Sequence, residues 1–123
     1  MGADYVLWFN ARCSVSKRAL EILRERGVEP ELRRWLEEPP SPEELEALFA
    51  RLALSPHDLA RRSEDEYQAL RLSERTPRDE MIQALSRHPR ILEGPLLVRG
   101  ERAVLARPAE RVLELVPPAA ATG

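Results

Sequence analysis

Cys13 is the only cysteine of the chain, and it lies within Trp8-Phe9-Asn10-Ala11-Arg12-Cys13-Ser14-Val15-Ser16-Lys17-Arg18. An apolar run, Tyr5 to Phe9, leads into this stretch and a helical pattern leads out of it. The spacing therefore predicts a thiol at a strand-to-helix junction. A helix N-terminus presents unpaired backbone N–H groups and a partial positive charge, which favour a thiolate over a thiol. The same N–H groups can hold an anion. Arg12 and Lys17 add cationic charge beside the sulfur, and Asn10, Ser14 and Ser16 complete the polar surroundings. The chemistry these residues point to is a nucleophilic thiolate next to an oxyanion site. The alternative for a lone cysteine is a small buried hydrophobe.

With 123 residues and a formal charge of −2, the chain is long enough for one domain with a core. Near-balanced charge gives no electrostatic case for nucleic acid or an acidic membrane. The basic residues are almost all arginine, with Lys17 the only lysine. No apolar run approaches the ~20 residues needed to cross a bilayer, and the N-terminus lacks a signal-peptide pattern. One cysteine cannot form an internal disulfide, which fits a reducing cytoplasm. A zinc site would need Cys13, His57, His88 and carboxylates without close ligand spacing, so neither a metal nor a bound cofactor is expected.

The elements that must position Cys13 follow from periodicity. Tyr5 to Phe9 reads as a strand buried on both faces. Ser14 to Arg26 reads as a helix with Ala19, Leu20, Ile22 and Leu23 inward, stopped by Gly27. Glu31 to Leu36 is a second, shorter strand, completing a parallel βαβ unit. Ser41-Pro42-Glu43-Glu44, Ser55-Pro56-His57-Asp58 and Thr76-Pro77-Arg78-Asp79 share a hydroxyl cap, a proline at the first helical position and a following carboxylate. They predict three helix starts. Leu45, Leu48, Phe49 and Leu52 form the inner face of the first, and Met81, Ile82 and Leu85 that of the third. A further helical turn is expected around Glu64 to Leu70. Pro95 to Val98 and Arg102 to Leu105 flank Arg99-Gly100-Glu101 as a hairpin. Pro108 opens a last helix, with Val112, Leu113, Leu115 and Val116 for packing, and Pro117-Pro118 stops it.

The order β-α-β, helical segment, β-β-α predicts an α/β chain with a thioredoxin-like fold: a small mixed four-stranded sheet with an all-helical insertion. The expected organisation is a single domain over residues 1–118, an insertion over about 41–88, and a frayed tail over 119–123. The fold reading places a cis-proline at Pro95, facing the cysteine. A trans proline at a strand start is the alternative.

The sequence resembles the glutaredoxin-dependent arsenate reductase family and its wider relatives, the Spx-like regulators. The resemblance runs from Tyr5 to about Val116. It is carried by Asn10 to Lys17, Leu36-Glu37-Glu38-Pro39-Pro40-Ser41, Leu59-Ala60-Arg61-Arg62, His88-Pro89-Arg90-Ile91-Leu92-Glu93-Gly94-Pro95 and Arg107-Pro108. It implies that Cys13 is the nucleophile, that Ser16 tunes its environment, and that Arg61 and Arg107 are two of three arginines holding the oxyanion. The family's third arginine precedes the late proline, where this chain has Gly94. A histidine common near the end of the first strand is Phe9 here, and the usual proline two residues before the cysteine is Ala11.

The implied activity is thiol-dependent reduction of arsenate or a related oxyanion. An external thiol, glutathione or an equivalent, would resolve the adduct, and glutaredoxin or a similar protein would regenerate Cys13. Two alternatives stand beside it: a Spx-like regulator that binds the RNA polymerase alpha subunit, and a monothiol transferase of unknown substrate. Spx-type redox sensing uses a Cys-x-x-Cys pair, and Ser16 removes the second thiol. Arg61 and Arg107 have a plainer reading as solvated surface residues, and Arg107 also as a brace for the last helix. His57 and His88 are expected to be structural or exposed, Trp8 and Trp35 to lie in or beside the core, and Glu37-Glu38 to form a solvated loop.

Overall fold

The computed structural model describes residues 4–117, so Pro118 and the expected frayed tail over 119–123 lie outside the described residues. Two compact units are present. One comprises residues 4–34 and 94–117, and the other Trp35–Glu93.

The first unit contains strands β1 (Val6–Trp8), β2 (Glu31–Arg33), β3 (Leu96–Arg99) and β4 (Arg102–Leu105), with helix α1 (Ser14–Glu25) between β1 and β2. The sheet order is β2-β1-β3-β4. β1 runs parallel to β2 and antiparallel to β3, and β3 pairs antiparallel with β4. This is the mixed four-stranded sheet expected from the sequence. Leu7 and Leu97 are paired across the centre and are fully buried. Removing such a side chain from water contributes about 1.5–3 kcal/mol. α1 covers the sheet through Ala19, Leu20, Ile22 and Leu23, and ends where Gly27 adopts φ +76°. That left-handed conformation suits glycine and lets the Val28 N–H return to the Leu23 carbonyl.

Several elements differ in extent from the sequence expectation. β2 stops at Arg33 rather than reaching Leu36, and Trp35 is instead buried with its indole N–H on the Pro89 carbonyl. β3 extends to Arg99, which pairs with Arg102, so the hairpin turns on Gly100 and Glu101 alone. Gly100 has φ +59°, the conformation such a tight turn requires. The last helix is a 3-10 helix over Ala109–Leu115, burying Ala109, Val112 and Leu115. The Gly94–Pro95 bond is cis, as the fold reading expects, and the Arg107–Pro108 bond is cis as well.

The second unit holds α2 (Pro42–Leu52), α3 (Asp65–Ala69) and α4 (Arg78–Arg87), with 3-10 turns at Pro56–Leu59 and Pro89–Ile91. Ser41 caps α2 by accepting the Glu44 N–H, and Ser55 forms a reciprocal capping box with Asp58. The third hydroxyl start is a correction. Pro77 is the cap residue of α4 and no side chain caps it. The Thr76 hydroxyl instead accepts the Ser73 N–H at 2.9 Å, a local bond that competes with capping. Trp35 is buried and donates its indole N–H to the Pro89 carbonyl at 3.0 Å, tying together the ends of this unit. His57 and His88 are held structurally, by the Thr76 carbonyl and the Glu66 carboxylate.

Candidate active site

The turn between β1 and α1 is built from its own backbone. The Cys13 N–H donates to the Asn10 carbonyl at 3.0 Å, and the Asn10 side-chain oxygen accepts the Arg12 N–H at 3.0 Å. An Asn side chain that bonds two residues ahead fixes such a turn without a glycine. Cys13 is the N-cap residue of α1, with φ −100° and ψ 123°, and its carbonyl accepts the first helical bond from Lys17. Its side chain makes no capping bond as a neutral thiol, a weak acceptor.

Ionisation changes that balance. Partial burial alone pushes the Cys13 thiol up. The backbone N–H groups of Ser16 and Val15, the Ser16 hydroxyl and the Arg107 charge together outweigh it, and the thiol lies below its ordinary value. Arg12 and Lys17, expected to help, are not among the largest contributors. Both side chains are exposed, where water screens their charge.

Ser16 is fully buried and accepts the Asn10 N–H at 3.2 Å. With its oxygen occupied by that donor, the hydroxyl proton is available to the sulfur. Ser14 is exposed at the first helical position.

Arg107 approaches from the other end of the unit's sequence. β3 and β4 pair Leu96 with Leu105, and the Pro95 carbonyl accepts the Ala106 N–H at 2.9 Å. The same register sets Arg107 opposite Gly94. Its Nε donates to the Gly94 carbonyl at 2.6 Å, and its Nη2 lies 3.7 Å from Cys13 Sγ. Gly94, a departure from the family pattern in side-chain terms, thus supplies a backbone anchor for the guanidinium. Sequence reasoning missed this role because a carbonyl acceptor has no residue signature.

Phe9 is buried, with the Arg34 guanidinium 5.5 Å from its ring centre. Arg99 is 4.8 Å from the Tyr5 ring centre and bonds the Leu115 carbonyl at 3.0 Å, so it is committed to structure. Arg61 belongs to the helical unit. Its N–H bonds the Ile91 carbonyl at 2.6 Å, and its guanidinium lies 4.0 Å from Glu64 and 3.7 Å from Glu93. Among the described residues, no three His, Cys, Asp or Glu side chains converge as metal ligands, and no helix is long and apolar enough to cross a membrane.

Comparison with known proteins follows the same outline. The sequence profile of the ArsC family matches residues 8–115. The uncharacterized protein YfgD of Escherichia coli K12 is 38% identical over 89% of this chain and 94% of its own length. An arsenate reductase of Escherichia coli is 33% identical over 95% of this chain and 84% of its own length. Among solved structures, the arsenate reductase from Vibrio cholerae superposes with a TM-score of 0.88 at 33% identity, covering 91% of this chain and 97% of that one.

Proposed function

We propose that this chain, which belongs to the ArsC family, is a thiol-dependent oxidoreductase that reduces arsenate or a closely related oxyanion at Cys13. The observation that carries the reading is the Arg107 guanidinium, anchored on the Gly94 carbonyl with one nitrogen 3.7 Å from a sulfur at a helix N-terminus. That arrangement joins a favoured thiolate to a fixed anion donor, which is what attack on a tetrahedral oxyanion needs.

In the proposed reaction the Cys13 thiolate attacks arsenic(V), a sulfur–arsenic bond forms, and one oxygen leaves as water after taking up protons. An external thiol of the glutathione kind then captures the cysteine sulfur as a mixed disulfide. Two electrons pass to arsenic, which departs as arsenic(III). A glutaredoxin or similar protein reduces the mixed disulfide and returns Cys13 to the thiol. With one cysteine in the chain, the second sulfur must come from outside. No resident cofactor or metal is invoked, and the reducing thiols place the reaction in a cytoplasmic setting.

Arg107 would donate to the oxyanion in the ground state and more strongly as charge builds up. One such charge-assisted contact contributes about 1.5–3 kcal/mol. Ser16 would hold the thiolate through its hydroxyl, and the Asn10 to Ser14 turn and Pro95 would shape the site around it. For Arg61 the second anion contact rests on the resemblance of Leu59-Ala60-Arg61-Arg62 alone.

The test is arsenate-dependent NADPH oxidation by the full chain with glutathione, glutaredoxin and glutathione reductase. Turnover is expected for the wild type, falling to background in Cys13→Ser. Equal rates for the two proteins would overturn the reading.

A further inference from the structure

α4 has two dissimilar faces. Met81, Ile82 and Leu85 are buried on one. The other carries Asp79, Glu80, Gln83, Ala84 and Arg87, which form one wall of an open groove of about 410 Å³; Leu70 and Leu72 contribute to its lining. At 3.6 residues per turn those five helix positions fall within an arc of about 140°. Leu70 is 40% exposed and is the exposed large hydrophobic side chain among the described residues. Beside it Arg71 holds φ +57°, the left-handed position that closes α3 as the Leu72 N–H returns to the Tyr67 carbonyl at 3.2 Å.

Acidic and basic side chains occur together on this face. Asp79, Glu80 and Arg87 form no ion pair among the described residues. By contrast Arg62, Arg78 and Arg111 each lie within 2.9 Å of a carboxylate. Acids at a helix start and a base at its end suit the helix dipole. The dipole does not account for their sharing one face with an apolar groove and an exposed leucine.

We propose that this groove is a self-association surface, occupied by α4 of a second copy of the chain running antiparallel about a two-fold axis at Gln83. Asp79 precedes Gln83 by four residues and Arg87 follows it by four. Antiparallel pairing about Gln83 therefore sets each Asp79 against Arg87 of the other copy, twice over, as an isologous interface requires. Ala84, next to the axis, is small enough for the two helices to approach closely. Leu70 and Leu72 of each copy cover the sides of the contact and lose their exposure to water. One helix face and two leucines from each copy make a limited contact, so the association is weak and concentration-dependent.

Sedimentation velocity on the full chain from about 10 μM to about 1 mM tests the proposal, a range suited to weak interfaces. The wild type is expected to pass from monomer to dimer within it. Asp79→Arg and Arg87→Asp, each placing like charges together, are expected to weaken association about tenfold when studied alone. An equimolar mixture of the two variants should associate again, because every cross-copy pair then joins opposite charges. That recovery also shows that both variants are folded. A wild type that remains monomeric throughout overturns the proposal and leaves the groove to a different partner. So does a single variant that associates like the wild type, or a mixture that associates no better than its components.

Discussion

Arg107 and Arg61 are the same side chain in two electrostatic settings. Arg107 is anchored on a neutral carbonyl, and its charge is felt at the Cys13 sulfur. Arg61 lies between Glu64 and Glu93, whose carboxylates offset its field. The Arg107 charge acts on the thiol it faces, whereas a guanidinium flanked by two carboxylates must exchange partners before it can bind an anion. The anchor, as much as the arginine, decides what the cation can do. Position in a motif alone would have ranked the two residues equally.

The comparison can be broken in several ways. The largest effect is expected from Arg107→Ala, which should lower kcat/KM for the oxyanion about ten- to a hundredfold, the kinetic equivalent of one charge-assisted contact. Arg61→Ala should cost less. Equal losses in the two variants would show that carboxylate neighbours do not matter here.

Next in size is Ser16→Ala. It removes a hydrogen bond that favours the thiolate, so the thiol titrates higher and iodoacetamide alkylation at pH 7 should slow about two- to tenfold. An unchanged rate would mean that the Val15 and Ser16 N–H groups suffice. The lowered Cys13 value also has a sign for stability. The folded state favours the thiolate, so this contribution is complete above the ordinary thiol range and is lost as pH falls through the folded midpoint. Urea denaturation should therefore show the wild type gaining on Cys13→Ser as pH rises, and a difference independent of pH would contradict it.

The smallest effect sharpens the other side. Glu64→Gln with Glu93→Gln should relieve Arg61 and lower KM about two- to threefold if Arg61 meets the substrate, in keeping with the modest worth of part-exposed ion pairs. No change would remove Arg61 from the anion site.

Much of this was legible in the residues. The apolar run before Cys13, the inward positions of α1 and the proline-led helix starts each have a local physical cause, and each specified its element. The register of the hairpin was less accessible. A connection through Arg99, Gly100 and Glu101 and a turn on Gly100 and Glu101 alone differ by one residue, and only the second sets Arg107 opposite Gly94. The Thr76 cap failed because a nearer N–H, that of Ser73, competed for the same oxygen. The charges of Arg12 and Lys17 were visible, but their screening depends on exposure, which sequence alone does not report. Arg107's anchor was hidden for a simpler reason: every residue carries a carbonyl.

The sheet register around Trp8 bears on how the chain tolerates insertion. Trp8 is flanked by Arg33 in β2 and Leu96 in β3, so the chain leaves the sheet on one side of β1 and re-enters on the other. That gap is two strand spacings, roughly 10 Å. A segment of almost any length can bridge it without moving a single sheet hydrogen bond. The helical unit is in that sense a replaceable cassette. A change in its length or surface therefore leaves the pairing of β1 with β2 and β3 as it is.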